Sequence, residues 1–163
     1  MLKVSAGLMM FRWTTRGSLE VLLGHPGGPL YANKDDGYWG IPKGRVESHE
    51  TIIAAAFREF TEETGQTPAV DALLPLGTIT ERNGKVVHAW AVRGDCDTSL
   101  PVNSNLFAME WPRRSGKTQL FPEIDRLAFF DTHTARQKIE AVQQQFIWRL
   151  ETLTIGKADR PIA

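Results

Sequence analysis

Two apolar runs of strand length open the chain, Ser5–Trp13 (SAGLMMFRW) and Leu19–Pro26 (LEVLLGHP), and the turn-like TTRGS between them predicts two strands joined by a short connection. A polar loop rich in Gly and Pro follows (HPGGPLYANKDDG, 25–37) and leads into YWGIPKGRVES, 38–48. The segment His49–Thr64 has helical composition and length. LGTITER (76–82) and KVVHAWAVRGD (85–95) flank Asn83-Gly84, whose tolerance of positive φ predicts a tight hairpin. NLFAMEW (105–111) and RLAFFD (126–131) read as further strands, with PRRSGKTQLFPEID between them as a loop. After Asp131 the pattern is helical to about Thr152, with room for a break in the middle. Strands on both sides of one helix, plus a terminal helix, predict an α+β domain with a mixed sheet packed between helices.

Composition narrows this picture. The chain has 163 residues, 42% of them hydrophobic and 23% charged, enough for one globular domain spanning 1–163 with a real core. Nineteen basic residues balance nineteen acidic ones, which argues against broad electrostatic binding to nucleic acid or anionic membrane. The opening MLKVSAGLMMFRW lacks the continuous apolar segment of a signal peptide, so no membrane association is expected and the default location is cytoplasmic. The single cysteine, Cys96, has no partner for an internal disulfide, which fits a reducing compartment. Oligomeric state has no signature in the sequence.

The candidate chemistry lies in AFREFTEETGQ, 56–66, which packs Glu59, Glu62 and Glu63 into five positions. Like charges four apart on a helix cost ~0.2–0.5 kcal/mol, so stability alone would spread them. At 100° per residue, with Glu59 at zero, Glu63 lies near about +40° and Glu62 near about −60°, on one face. Ile53, Phe57 and Phe60 fall between about +100° and +160°, a separate apolar face for packing on a sheet, and the acidic face is expected to be left free. Ala55 and Ala56 leave room above it. A solvated helix face is the plain alternative. Against it, crowded carboxylates are the hard anionic ligands that Mg²⁺ takes. The preceding GIPKGRVES also offers two glycines, Gly40 and Gly44, whose backbone can approach a metal or phosphate closely.

From Gly44, five residues lead to Glu50, seven more to Arg58-Glu59, then Phe60, one residue, Glu62-Glu63, one residue and Gly65. This spacing resembles the Nudix box, the signature of hydrolases that cleave nucleoside diphosphates linked to another group; Gln66 stands where the box usually has an aliphatic residue. The resemblance implies the Nudix α/β/α sandwich. It also implies that Glu59, Glu62 and Glu63 hold Mg²⁺ or Mn²⁺, with a backbone carbonyl at Lys43 or Gly44 as a further ligand. Glu50, Arg58, Gly44 and Gly65 are then structural parts of the motif, with Arg58 able to steady Glu62 and Ser48 a plausible N-cap.

The reaction so implied is hydrolysis of a pyrophosphate bond in a nucleotide substrate, a dinucleoside polyphosphate or a nucleoside triphosphate, with no serine, cysteine or histidine nucleophile. A general base comes from outside the box in family members of the diadenosine tetraphosphate hydrolase branch, and Glu123 resembles that residue in placement; Glu110 is the rival. His25, His49, His88 and His133 read as structural or surface. Tyr38 and Trp39 could stack on a base, with core packing equally open for Trp39, and Lys43 could reach a phosphate. Arg113 and Lys117, with Arg114 and Gly116, sit in a stretch that could clamp phosphate or simply be a solvated loop. A non-catalytic nucleotide sensor or interaction module, and a pyrophosphohydrolase acting on RNA 5′ ends, remain the other readings.

Overall fold

The structure, a computed structural model, describes residues 2–70 and 72–157. Its centre is β1 (Val4–Trp13), whose successive side chains point to opposite faces of the sheet. Ala6, Leu8 and Met10 enter one core, Met9 and Phe11 the other. A strand apolar on both faces must be covered on both, and it is. β1 pairs parallel with β5 (Val86–Arg93) and antiparallel with β2 (Leu19–Pro26). β4 (Leu73–Thr80) and β8 (Ile124–Asp131) complete the order β4-β5-β1-β2-β8, and the short β3 (Lys43–Arg45) pairs with the start of β1.

Helix α1 (Ile52–Thr64) covers the Leu8 face through Ala55, Ala56 and Phe60, all fully buried. Helices α2 (Thr132–Lys138) and α3 (Gln144–Thr154) cover the other through Ala135, Phe146, Ile147 and Leu150. The expected α+β arrangement, a mixed sheet between helices, is therefore present. The terminal helix is broken, as the pattern allowed, by an extended stretch at Ile139–Glu140 and a 3₁₀ turn over Ala141–Gln143.

Three expectations are corrected. The N-cap of α1 is Thr51, whose hydroxyl accepts from Ala54 N–H at 3.2 Å, so the helix starts at Ile52 and neither Ser48 nor Glu50 lies in it. At the other end Gly65 takes φ 72°, the left-handed conformation that a helix stop favours, and donates to Thr61 O. The stretch read as a loop before Ile124 contains β7 (Thr118–Pro122), which pairs with β6 (Leu106–Glu110) as a hairpin standing off the main sheet. Finally, Ala55 and Ala56 leave no open space, because they pack into the core.

The hairpin's base is tied to the helix. Asn105 N–H donates to Glu62 O, Glu123 N–H to Asn105 O, and Gly27 N–H to Glu123 O. These backbone bonds carry Glu123 from the junction of β7 and β8 to the C-terminal half of α1.

Candidate active site

The acidic side of α1 is not a free face. Glu59 and Glu63 are each only 8% exposed, and Glu62 is the solvent-facing member of the three. The helical wheel placed the three carboxylates together but could not say what lies over them. What lies over them is the Lys43–Gly44 segment: Lys43 N–H donates to Glu63 Oε2 at 3.0 Å. Gly44 lies so close to Glu59 that a Cβ there would fall onto its carboxylate. Any side chain at this position would push the Glu59 carboxylate aside.

One guanidinium organises the outer part of the cluster. Arg58 makes a fork on Glu50, Nε to Oε2 at 3.0 Å and Nη2 to Oε1 at 2.6 Å. Its Nη1 donates to Glu59 at 2.7 Å and Glu62 at 3.1 Å, and Nη2 also reaches Arg45 O at 2.9 Å. All five N–H donors are used. Hydrogen bonding from Arg58 holds the Glu50 carboxyl well below its ordinary range, to about 2. Glu50 and Arg58 thus lock the loop, the helix and two of the glutamates into one arrangement.

Burial acts in the opposite direction on the inner pair. It raises Glu59 above the usual carboxylate value and pushes Glu63 up to about 8, and repulsion from Glu123 adds to both. Glu63 makes no ion pair among the described residues. Its one hydrogen bond there is from Lys43 N–H.

Glu63 and Glu123 line a cavity of about 130 Å³ together with Lys43, Tyr38, Gly40, Ile41, Glu140 and Gln143. Lys43 Nζ stands 3.7 Å from Glu81. Glu110, the rival for the base, is at the far end of β6, where it accepts from Gly116 N–H. It lies four residues along the strand from Leu106 at the hairpin base, about 13 Å. A larger groove of about 550 Å³ between β4 and α3 holds no carboxylate, and Arg149 there donates to the carbonyls of Leu76 and Thr78.

Three other candidates are placed elsewhere. Trp39 is a core residue: its indole donates to Asp35 at 2.8 Å, and its ring meets those of His25 and Phe130 edge-on. It has no free face for a base; Tyr38, half-exposed on the cavity wall, has one. Arg113 and Lys117 are exposed at the hairpin tip and do not line the cavity. His25 is fully buried between Asp125 and Lys34 O, at 2.7 Å from each, a structural histidine as expected. Glu140 and Gln143 were not found in the sequence. Their only signal there was the break in the terminal helix, since what brings them to the cavity is a bridge between Trp39 and Ile139, a hundred residues apart.

The chemistry of the donor set, hard carboxylate oxygens, fits a divalent cation. Among the described residues no three carboxylate or imidazole groups close a cage by themselves. Mg²⁺ does not need one, because it keeps several waters and binds through one or two carboxylates plus substrate phosphates. Two buried carboxylates with a third repelling them, and no ion pair to Glu63 among the described residues, are a donor set that positive charge would stabilise.

A family model described as NUDIX domain matches residues 1–150. Among solved structures, the chain is similar to a Caenorhabditis elegans Ap4A hydrolase binary complex, with a TM-score of 0.62, 22% identity, and 93% of this chain and 98% of that one covered. The NUDIX domain of Shewanella oneidensis NrtR, complexed with ADP ribose, gives 0.63 at 14% identity over 94% and 88%. The C-terminal domain of mouse MUTYH, in complex with human PCNA, gives 0.58 at 14% identity over 99% and 95%. At these identities the likeness is one of fold. No curated protein matches the sequence. With the family model spanning nine-tenths of the chain and the acidic helix, its loop and its arginine in place, the chain belongs to the NUDIX domain family.

Proposed function

We propose that this Nudix pyrophosphohydrolase cleaves a pyrophosphate bond in a nucleoside diphosphate-linked substrate, a dinucleoside polyphosphate or a nucleoside triphosphate, with Mg²⁺ or Mn²⁺ as cofactor. The observation that carries the reading is Glu63, a carboxyl buried without an ion pair among the described residues, beside Glu59 and Glu123. A chain selected only for stability would not retain such a group. Glu59, Glu62, Glu63 and the backbone at Gly44 would hold the cation, which neutralises phosphate charge and lowers the pKa of water.

The chain's own residues then have separable tasks. Arg58 keeps Glu59 and Glu62 aimed while Glu50 holds Arg58. Lys43 lies in the cavity wall, where its ammonium can leave Glu81 and meet a phosphate as a point charge. Tyr38 offers a ring face to a base. Glu123 accepts the proton of the attacking water, since Glu59 and Glu63 are committed elsewhere. Arg113 and Lys117 are left only a role at the hairpin tip, toward a substrate long enough to reach it. Neutral net charge and the single cysteine support a cytoplasmic nucleotide substrate rather than a nucleic acid.

The test is product analysis across dinucleoside polyphosphates, nucleoside triphosphates, nucleotide sugars and triphosphorylated RNA with Mg²⁺ or Mn²⁺. Cleavage at a pyrophosphate bond of a dinucleoside polyphosphate or nucleoside triphosphate is expected. Binding without release of any product across the panel would make the chain a sensor or interaction module, and release from RNA alone would make it a 5′-end enzyme.

A further inference from the structure

We propose that Gln143 is a positioning residue that clamps the catalytic loop to the terminal helical segment and turns Glu140 into the cavity. The proposal rests on the reading of this cavity as a hydrolytic site. Gln143 is 1% exposed, and both ends of its amide are used. Its Oε1 accepts from Ile41 N–H at 3.0 Å, and its Nε2 donates to Glu140 Oε2 at 2.9 Å. Since Ile41 N–H needs an acceptor and the Glu140 carboxylate needs a donor, the amide has one orientation only.

The surroundings fix it further. Gly40 packs on the amide, where a Cβ would come within 3.1 Å of Nε2. Trp39 N–H donates to Lys138 O, Glu140 N–H to Trp39 O, and Gln143 N–H to Glu140 O. The segment from Trp39 to Gly44 is therefore held from the helical side by the Trp39 bridge and by Gln143. From β1 it is held by Leu8 N–H on Pro42 O, and from α1 by Lys43 N–H on Glu63. Ile41 lies two residues before Lys43, so any shift at the amide moves the atoms that meet Glu63 and Glu59. Remove the clamp, and the backbone donor of a buried residue is left unpaired at the root of the catalytic loop.

The role separates from core filling because donor and acceptor ends can be changed independently. Gln143→Met keeps the volume and loses both bonds, Gln143→Glu keeps the acceptor for Ile41 and loses the donor to Glu140, and Glu140→Gln combined with Gln143→Glu restores a donor facing an acceptor. Amide exchange at Ile41, followed by NMR on the folded protein, is expected to accelerate by about tenfold or more in Gln143→Met and to stay near wild type in Gln143→Glu. Turnover with Mg²⁺ and the substrate found by the panel is expected to fall roughly 10–100-fold in kcat for Gln143→Met, the scale of a misplaced catalytic loop. Gln143→Glu alone should also lose turnover, and adding Glu140→Gln should recover it to the level of Glu140→Gln alone.

Unchanged Ile41 exchange in Gln143→Met would overturn the clamp. So would wild-type kcat and KM in Gln143→Met and Gln143→Glu, or a double variant no better than Gln143→Glu. If the wild-type chain releases product from nothing, the hydrolase reading fails while Ile41 exchange still decides the clamp. If Gln143→Glu fails to fold, Ile41 exchange in Gln143→Met decides; if Gln143→Met fails to fold, loss of turnover in Gln143→Glu and its recovery on adding Glu140→Gln decide.

Discussion

Glu63→Gln should stabilise the cation-free protein, and by an amount that grows with pH. Glu63 has a folded pKa of about 8 against an ordinary 4.5, because burial disfavours its charge. Between these values the folded chain holds a proton that the unfolded chain has released. The unfolded state therefore binds fewer protons, and stability falls as pH rises through this window. At ~1.36 kcal/mol per unit, the cost of keeping Glu63 buried is about 1.4 kcal/mol at pH 5.5 and about 4 kcal/mol at pH 7.5. A buried glutamine with one incompletely bonded amide gives back ~1 kcal/mol or more of this. The expected net gain at pH 7.5 is about 2–3 kcal/mol, or roughly 4–12 °C in Tm for a chain of this size.

The measurement is denaturant unfolding of both proteins from pH 4.5 to 8.5 with a chelator present. Glu59, also raised by burial, contributes with the same sign. Glu50, held to about 2 by Arg58, finishes its titration below this range. Wild-type stability should decline from pH 5 to 8, and the Glu63→Gln curve should be flatter and higher at the alkaline end. A wild-type curve that is flat or rising there, or a variant no more stable at pH 7.5, would refute the reasoning. Adding Mg²⁺ should then stabilise wild type more than the variant.

Arg58→Lys keeps one charge but not the five-donor fork, so it should weaken metal activation roughly 10–100-fold, read from the Mg²⁺ concentration giving half-maximal turnover. Gly44→Ala forces a methyl onto the Glu59 carboxylate and should abolish most turnover while circular dichroism still reports the folded sheet. Glu123→Gln should reduce kcat by roughly 10²–10⁴-fold with little change in metal activation. Glu110→Gln should leave both unchanged, and the reverse pattern would move the base to β6.

Local spacing made the body of α1, its end at Thr64 and the glutamate cluster legible in the sequence, because each depends on residues within one helix. The wheel also fixed the angles among Glu59, Glu62 and Glu63. It did not fix which way they face, because that depends on Lys43–Gly44 and Glu123 packing over them, and contacts from separate segments leave no period. β7 was missed for a related reason: its residues are largely exposed and end in Pro122, so they lack the alternation of a half-buried strand. Trp39, equally open to core or ligand by composition, was decided by its partners Asp35, His25 and Phe130. Ser48 lost the cap to Thr51 because either hydroxyl suits the role and three residues of register separate them.

Initial rates of nucleotide release as Mg²⁺ is added to chelator-treated protein, with wild type and Glu59→Gln side by side, ask directly whether the buried acidic face binds the cation that hydrolysis needs. The expected result is no turnover without the cation, saturable activation of wild type, and loss of most of that activation in Glu59→Gln, with both proteins folded. Full turnover by chelated wild type, or identical activation curves for the two proteins, would contradict it.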